Sequence, residues 1–209
     1  MMKREQEHKA QRVAVFVDVQ NMYYSARYAY DMRVNFKQIL EDAVHQRILV
    51  RAIAYVIRAK EPHEQGFFGA LEGIGYEIKA KDLQVFPGGA TKGDWDLGIA
   101  MDMIAIAPKV DTVILVSGDG DYEPLLEHLR RAMGCRVEVV AFGKSASGKI
   151  RDAADDFLDL DSDHKRYLMP RFVHGRPAEP KVERPARGPG VKPSRPAVPR
   201  PASQRPPQR

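Results

Sequence analysis

The sequence predicts an α/β fold: a three-layer α/β/α sandwich in which helices cover both faces of a mainly parallel central sheet. Three observations predict it. Short runs rich in Val, Ile, Ala and Phe alternate along the chain with amphipathic stretches. These runs are almost continuously apolar, as expected for strands that are buried on both faces. Strands that alternate with helices of about 10–14 residues require right-handed crossovers, and these produce a parallel sheet.

In the first half of the chain, the strand predicted at 12–18 has the sequence RVAVFVD, and the one at 49–57 has LVRAIAYVI. After the strand at 49–57, a helix is predicted around 62–74, and two shorter strands are expected at 76–79 and 82–86. Between the first two strands, a helix is predicted at 36–46 because apolar residues recur there every three or four positions, namely Phe36, Ile39, Leu40 and Ala43.

In the second half, a helix is predicted at 94–107, and Pro108 is expected to end it. The strand at 112–117 (TVILVS) precedes a helix at 122–133, which Gly134 closes. A last strand is predicted at 136–142 and a last helix at 149–156. The residues expected on the buried sides of the two longer helices are Ile99, Met103, Ile104 and Ala107 in the first, and Leu125, Leu126, Leu129 and Met133 in the second.

Charge divides the chain into a mildly acidic body and a basic tail. The whole chain has a formal net charge of +5. Residues 171–209 contain 10 Lys/Arg, 2 Asp/Glu and 10 of the 15 prolines, so the tail carries +8 and residues 1–170 carry −3. Such a basic, Pro-rich segment buries too little apolar surface to fold, and we predict that it is disordered. The predicted organisation is a charged N-terminal extension at 1–11, an α/β domain at 12–165 and the tail at 171–209.

Composition also excludes several classes of protein. The single cysteine, Cys135, excludes an intrachain disulfide framework and a cysteine-based zinc site, and it is typical of a reducing compartment. No apolar run approaches the ~18 residues that span a membrane, and the charged start of the chain lacks the apolar segment of a signal peptide. We therefore expect a cytoplasmic protein without membrane association. PxxP spacings in the tail (177–180 and 196–199) could bind a protein partner, although a solvated tail is the simpler interpretation.

Aspartates follow the ends of the predicted strands. Asp18 ends the first strand, and Asp119 and Asp121 follow the strand at 112–117 within SGDGD. Asp94 and Asp96 open the helix at 94–107. The carboxyl ends of parallel strands meet at one edge of the sheet, where ligands bind at the switch point of the strand order. We therefore expect these carboxylates to lie close together.

A cluster of this kind indicates a divalent cation. Three or more carboxylates in one place repel one another unless cations bind there. Oxygen ligands without His or Cys favour Mg²⁺ or Mn²⁺ over Zn²⁺. Such an ion can activate water, orient a phosphodiester and neutralise charge on the attacking and leaving oxygens. The predicted chemistry is phosphoryl transfer or phosphodiester hydrolysis.

Most of these aspartates also have a purely structural interpretation. Asp121 and Asp94 stand where helix N-caps are expected. Asp96 lies in a first helical turn, where the helix dipole favours a carboxylate. Asp102 lies six residues after Asp96, about 600° further around the helix, and so does not share its face. Asp18, directly after a buried strand, is the hardest to explain without a function.

Other polar and aromatic residues are weaker candidates. Asn21 could cap the next helix, or hold a phosphate or a metal-bound water. Lys92 could contact phosphate, although a solvated lysine is the simpler interpretation, and Ser117 ends the strand that precedes the SGDGD aspartates. Five aromatic residues could stack on unpaired bases, although aromatics at helical spacing more often pack in a core; they are Tyr23, Tyr24, Tyr28, Tyr30 and Trp95.

Four motifs occur in order over roughly residues 12–160: FVDVQNMYY, KGDWDLGIAMD, ILVSGDGDYEPLLEHLRRAMGCRVEVVAF and ADDFLDL. Together they resemble the LabA-like branch of NYN domains, which belong to the PIN-like nuclease superfamily. The resemblance implies a PIN-like α/β/α sandwich with a ribonuclease site that depends on Mg²⁺ or Mn²⁺. Matching the motifs implies that Val19 replaces a frequent glycine and that the site residues are Asp18, Asp96, Asp119 and Asp121, with Asp102 as a recurrent companion of Asp96.

Two functions are compatible with these observations. The first is a metal-dependent ribonuclease that hydrolyses RNA phosphodiester bonds, in which the basic tail supplies the phosphate affinity that the acidic body lacks. The alternative is a non-catalytic RNA-binding or regulatory module that retains the fold. A phosphatase resembling the haloacid dehalogenases is disfavoured, because Gln20 stands where those enzymes need a second acid, two residues after the first.

Overall fold

The central element of the fold is a six-stranded sheet. The structure is a computed structural model, and it describes residues 9–58, 64–85 and 91–170. The predictions of an N-terminal extension (for residues 1–8) and of a disordered tail at 171–209 lie outside the described residues, as do Pro62 and Phe86. The strands of the sheet are β1 (Arg12–Asp18), β2 (Ile48–Arg58), β3 (Glu77–Asp82), β4 (Thr112–Val116), β5 (Arg136–Ala141) and β6 (Asp156–Asp159).

The sheet is parallel throughout, with the strand order β3-β2-β1-β4-β5-β6. The chain builds outward from β1 to β3, then crosses back to the centre and builds outward in the other direction from β4 to β6. In the central pair, Val13 lies opposite Thr112 and Val17 lies opposite Val116. The order therefore reverses between β1 and β4, and in such sheets the carboxyl ends of the two strands at this reversal flank a crevice.

Helices cover both faces of the sheet, which confirms the predicted three layers. On one face, α1, α2, α3 and α7 pack into one apolar core, and on the other face α4, α5 and α6 pack into a second. Two short antiparallel pairs lie outside the sheet: Arg33–Val34 with Leu168–Met169, and Gln84–Val85 with Thr91–Lys92. The helices are α1 (Val19–Tyr30), α2 (Phe36–Val44), α3 (Glu64–Ile74), α4 (Asp96–Ile106), α5 (Glu123–Arg131), α6 (Gly148–Ala153) and α7 (His164–Tyr167).

Strand β1 shows why its sequence is apolar at every position. Val13, Val15 and Val17 pack into the core under α1 and α2, whereas Ala14 and Phe16 pack into the core under α4 and α5. All five side chains are fully buried. An inner strand of a three-layer fold has no solvent face, so the hydrophobic effect acts on both sets of its side chains.

The structure differs from the predicted elements in several places. In place of the two short strands predicted at 76–79 and 82–86, the sheet has one strand, β3 (Glu77–Asp82), and Gln84–Val85 pairs with Thr91–Lys92 outside the sheet. Helix α1 and strand β6 have no counterpart among the predicted elements, because tyrosines obscure the periodicity of α1 and the edge strand β6 (DFLD) is half acidic. The helix predicted at 149–156 ends at Ala153, and β6 begins at Asp156. In α4, Ile104 was predicted on the buried side but is 40% exposed, and Ile106 is buried instead. None of the described helices combines the length and the apolar composition that crossing a membrane requires.

A buried ion pair joins the end of α2 to β5. The guanidinium of Arg47 donates to both carboxylate oxygens of Glu138, at 2.9 and 2.7 Å, and also to the carbonyl oxygens of Ala43 and Val44 at the C-terminus of α2. Only 9% and 14% of the Arg47 and Glu138 side chains are exposed. Burial alone would raise the pKa of Glu138, but the bonds and charges of Arg47 and Arg136 outweigh it and hold the pKa below its usual range. Arg47 therefore compensates a buried charge and caps a helix at once.

We expect Arg47→Ala to lower the free energy of unfolding by about 2–3 kcal/mol, because it leaves the buried carboxylate of Glu138 with Arg136 as its remaining cationic partner, which bonds one oxygen at 3.0 Å and is 38% exposed. Urea denaturation near neutral pH measures this loss. Lys37→Ala is the matched control, since Lys37 pairs with Glu41 at 3.9 Å on the surface and 70% of its side chain is exposed; its effect should be small. Equal losses in the two variants would contradict this account of the Arg47–Glu138 pair.

Candidate functional site

Asp18 lies at the junction between β1 and α1 and has a structural role in addition to its predicted functional one. It is the N-cap of α1, because its Oδ1 accepts the backbone N–H of Asn21 at 3.0 Å. Its side chain is almost entirely buried. This burial, with smaller contributions from the negative charges of Asp96 and Asp119, raises the pKa of Asp18 to about 6 although the N–H of Asn21 opposes it. The sequence folds here so that a carboxylate is held, at an energetic cost, at the carboxyl end of the central strand.

Asn21 connects this junction to the loop after β4. The prediction that Asn21 caps a helix is wrong, because Asp18 occupies that position. Instead, Oδ1 of Asn21 accepts the backbone N–H of Gly118 at 3.0 Å. The two loops that flank the strand-order reversal are therefore joined by a direct hydrogen bond.

The SGDGD segment forms a short turn before α5. Ser117 is fully buried, and its Oγ accepts the backbone N–H of Asp119 at 3.2 Å. Asp119 in turn caps the 3₁₀ turn Gly120–Tyr122 by accepting the N–H of Asp121 at 3.0 Å. The prediction of Asp121 as the cap is therefore wrong, because this extra turn moves the capping position two residues earlier. A side chain at Gly120 would lie 2.6 Å from the Oγ of Ser147, so only glycine fits the turn there.

Asp96 reaches the same place from the start of α4. Helix α4 begins at Asp96 itself, and Trp95 stands at the N-cap position without a side-chain cap, so the prediction of Asp94 as N-cap is wrong. The Trp95 ring instead anchors the helix: its Nε1 donates to the carbonyl of Val56 at 2.8 Å, and the ring lies against the edge of Tyr55. An indole in this position fixes where α4 starts and therefore where Asp96 lies.

Tyr122 is a site residue that the sequence analysis missed. Its hydroxyl donates to Oδ1 of Asp96 at 3.0 Å. Burial raises the pKa of Tyr122, and the charges of Asp18, Asp96 and Asp119 raise it further, so the phenol stays a neutral donor. The signal in the sequence was weak, because a tyrosine next to a helix is equally typical of a core residue.

The four aspartates predicted as the main site residues influence one another electrostatically. Burial raises the pKa of Asp96 and Tyr122 opposes this effect, whereas the charges of Asp119, Asp94 and Asp121 add to it. Asp18 responds to Asp96 and Asp119 in the same way. The structure thus brings together the carboxylates from the ends of β1 and β4 and from the start of α4, with Asp94 and Asp121 exposed at the rim.

Asp102 differs from the aspartates of this cluster in having a cationic partner. Both of its carboxylate oxygens accept from Nζ of Lys79, at 2.8 and 2.6 Å, and Oδ2 also accepts from the hydroxyl of Tyr55 at 2.6 Å. Burial would raise the pKa of Asp102, but these bonds outweigh it and lower the pKa. Within the described residues, Asp102 has a cationic partner, whereas Asp18, Asp96, Asp119 and Asp121 form no ion pair.

Lys92, the predicted phosphate contact, lies in the short strand Thr91–Lys92.

The aromatic candidates divide into two groups. Trp95 and Tyr30 are partly buried, and Tyr30 packs against Phe142. Tyr23, Tyr24 and Tyr28 are 44%, 42% and 81% exposed, so their interpretation as core residues is wrong. The buried side of α1 consists of Val19, Met22 and Ala26.

The chemistry of the donor set fits a hard divalent cation. The clustered ligands are carboxylate oxygens without His or Cys, as Mg²⁺ and Mn²⁺ prefer. Burial raises the pKa of Asp18 and of Asp96, and within the described residues neither carboxylate forms an ion pair that would oppose this shift. Among the residues that the structure describes, however, no three Asp, Glu, His or Cys side chains are already arranged as a metal site. The aspartates thus fit the ion by charge and donor type, without a preformed coordination shell.

Comparisons with known proteins give a matching family model and two similar proteins. The family model of the NYN domain matches residues 12–161. The low amplitude and bright protein LabA of Synechococcus elongatus is 29% identical over 160 residues, which cover 71% of this chain and 83% of LabA. A crystal structure of a protein of unknown function from Vibrio parahaemolyticus has a TM-score of 0.71 and 37% identity to this chain, and the match covers 77% of this chain and 98% of that one.

We expect Asp18→Asn to raise the free energy of unfolding in EDTA near neutral pH by about 2–3 kcal/mol, because the pKa of about 6 lies roughly two units above that of an unfolded aspartate. Asparagine still provides the Oδ1 that caps α1. The native state favours protonated Asp18, so the stability of the wild type is highest below the unfolded pKa and declines as the pH rises through about 6. The difference between variant and wild type should therefore vanish below about pH 4.

Urea denaturation at a series of pH values tests this expectation. Asp111→Asn is a control of opposite sign, because hydrogen bonds from Arg12 lower the pKa of Asp111 and this exposed carboxylate is at the other end of β4. A difference between Asp18→Asn and wild type that does not change with pH would contradict the assignment.

Proposed function

Because this chain belongs to the NYN domain family, we propose that it is a divalent-metal-dependent ribonuclease whose reaction occurs at the carboxyl ends of β1 and β4. The observation that carries this proposal is the convergence of Asp18, Asp96 and Asp119, which have no cationic partner among the described residues, at the reversal of the strand order. A carboxylate that serves only the fold is normally paired, as Asp102 is with Lys79. Unpaired, partly buried carboxylates are typical of a functional site.

Asp18, Asp96 and Asp119 would hold Mg²⁺ or Mn²⁺, and Asp121 would be a further ligand or orient the attacking water. The ion would supply a nucleophile at neutral pH and charge neutralisation at the phosphate. The protein's contribution is to fix these carboxylates. Oδ1 of Asp96 is oriented by the Tyr122 hydroxyl, and the backbone of Asp119 is held by the Oγ of Ser117. This preorganisation lowers the cost of assembling the site.

RNA is the proposed substrate. The body carries −3 and would attract a polyanion weakly, whereas residues 171–209 carry +8 and would supply phosphate contacts. Binding that depends on these contacts decreases as salt concentration rises. The cluster of aspartates would then act on a strand that the tail keeps nearby.

One observation favours the alternative function, a non-catalytic RNA-binding or regulatory module that retains the fold. No three of the described Asp, Glu, His or Cys side chains are arranged as a preformed metal site. Such a module would bind RNA without cleaving it, and its binding would tolerate the loss of the carboxylates. The ribonuclease therefore requires Asp18 and Asp119 for its activity, whereas the alternative predicts RNA binding that does not depend on them.

We expect Asp18→Asn and Asp119→Asn each to reduce cleavage of labelled RNA in Mg²⁺ or Mn²⁺ by about 100-fold or more, because each removes a charge that holds the ion. Asp111→Asn is the matched control, since it removes an exposed carboxylate at the opposite end of β4, and it should cleave like the wild type. Calorimetric titration with Mn²⁺ should show binding that either site variant weakens. Cleavage that survives in both site variants would exclude this site, and RNA binding by all proteins without cleavage would establish the alternative.

We expect Tyr122→Phe to lower kcat about tenfold with little change in KM, because it removes only the donor that orients Asp96. Asp102→Asn should have a smaller effect, since its carboxylate is neutralised by Lys79. Steady-state kinetics with a short RNA measure both parameters. A Tyr122→Phe enzyme with wild-type kcat, or an Asp102→Asn enzyme as defective as Asp18→Asn, would show that the positioning described here is wrong.

A further inference from the structure

Helix α1 exposes three tyrosines next to the candidate site. Tyr23, Tyr24 and Tyr28 are 44%, 42% and 81% exposed, although α1 already buries Val19, Met22 and Ala26 against the sheet. The fold therefore does not need these rings for its core. Large aromatic side chains that remain in water on one helix are typical of a surface that binds something.

The three rings form one continuous surface, here named the tyrosine platform. The centroids of Tyr23 and Tyr24 are 5.4 Å apart with an interplanar angle of 70°, and those of Tyr24 and Tyr28 are 5.7 Å apart at 13°. Each ring thus restricts the rotamers of the next. Rings that are ordered before binding lose little conformational entropy when a flat ligand stacks on them.

The charge of α1 favours an anionic ligand. The helix contains no Asp or Glu, and Arg27 is its single charged residue. Nη1 of Arg27 donates to the hydroxyl of Tyr23 at 2.6 Å, and the guanidinium carbon lies 5.9 Å from the centroid of the Tyr23 ring. Exposed aromatic rings beside a basic group, on a helix whose own residues include no Asp or Glu, match a nucleic acid, which has flat bases and negative phosphates.

The platform belongs to the helix that begins directly after Asp18. Tyr23 and Tyr24 follow Asp18 by five and six residues, which corresponds to about 8–9 Å along the helix axis. A strand of a few nucleotides spans this distance. Tyr24 lies about 600° of rotation beyond Asp18 and therefore on a different side of α1, so a strand that contacts both must curve around the helix.

We propose that Tyr23, Tyr24 and Tyr28 stack on unpaired bases of single-stranded RNA whose phosphate lies at the aspartate cluster. This inference rests on the proposed function and specifies its substrate class: single-stranded RNA, bound with little sequence preference because every base has a face on which tyrosine can stack. Base-paired RNA does not offer such faces and binds the platform poorly.

Surfaces rich in Tyr and Arg also occur in protein–protein interfaces, where a second copy of this chain would be the simplest partner. RNA is favoured because the platform lies on the helix that begins directly after Asp18, and because this helix contains a basic residue and no Asp or Glu. The experiment below includes oligomerisation as a competing outcome.

Equilibrium binding of the full-length protein to labelled single-stranded RNA tests the proposal. Fluorescence anisotropy in EDTA prevents cleavage, and about 0.2 M salt reduces the contribution of the basic tail. The double variant Tyr24→Ala/Tyr28→Ala should bind at least tenfold more weakly, and Tyr24→Leu/Tyr28→Leu should lose nearly as much because leucine is apolar but cannot stack. Tyr24→Phe/Tyr28→Phe retains the rings and should bind within about twofold of the wild type.

A second RNA that carries abasic sites separates base stacking from phosphate contacts. The wild type should bind the abasic RNA about tenfold more weakly than the intact RNA, whereas the double alanine variant should hardly distinguish them. Leucine variants that bind like the wild type would overturn stacking in favour of simple apolar contact. Tyrosine variants with unchanged RNA binding but a changed oligomeric state in light scattering would assign the surface to a second copy.

A parallel cleavage assay in Mn²⁺ keeps this inference separate from the proposed function. If the wild type cleaves RNA while the tyrosine variants bind it normally, the platform is refuted and the ribonuclease stands. If the wild type does not cleave RNA but its base-dependent binding requires the tyrosines, the platform stands and the ribonuclease is refuted.

Discussion

The burial of aspartates at the reversal of the strand order, to which their mutual repulsion adds, is the constraint on which the rest of the site depends. Asp18 is nearly buried, and it is close enough to Asp96 and Asp119 that their charges raise its pKa. Like charges in a medium of low polarity destabilise the native state unless other contacts hold them in place. The hydrogen bonds around the cluster do so: Asn21 joins the two strand-end loops, Ser117 and Asp119 order the turn after β4, and Tyr122 holds Asp96.

Two other carboxylates in the domain, those of Glu138 and Asp102, have cationic partners. Glu138 is more than four-fifths buried and is neutralised by Arg47, and Asp102 is neutralised by Lys79. These pairs lower the pKa of each acid, whereas the pKa values of Asp18 and Asp96 are raised. The direction of the pKa shift therefore distinguishes carboxylates whose charge stabilises the fold from carboxylates whose charge destabilises it. Carboxylates without a compensating positive charge are suited to a functional site, because they can bind a cation or a cation that is bound to phosphate.

Much of the fold could be predicted from local patterns. The strand at 12–18 has the predicted bounds, and β2, β4 and β5 differ from their predictions by one residue at one or both ends, because a strand buried on both faces is apolar at every position. α1 and β6 could not be predicted in this way. The exposed tyrosines hide the periodicity of α1, and β6 gains its strand character from pairing with β5, which supplies backbone partners that its own four residues do not reveal.

For the candidate site, the sequence by itself determined that the aspartates after β1 and β4 lie at one edge of the sheet, because parallel strands end at the same edge. The tertiary structure decided that β1 and β4 are neighbours there. Only the tertiary structure decided what each acid does locally. It made Asp18 and Asp119 the caps in place of Asn21 and Asp121, paired Asp102 with Lys79, and brought Tyr122 to Asp96. The physical reason is that periodicity is a property of neighbouring residues in the chain, whereas hydrogen bonds and charge compensation depend on groups far apart in it, such as Asn21 and Gly118, which are separated by 97 residues.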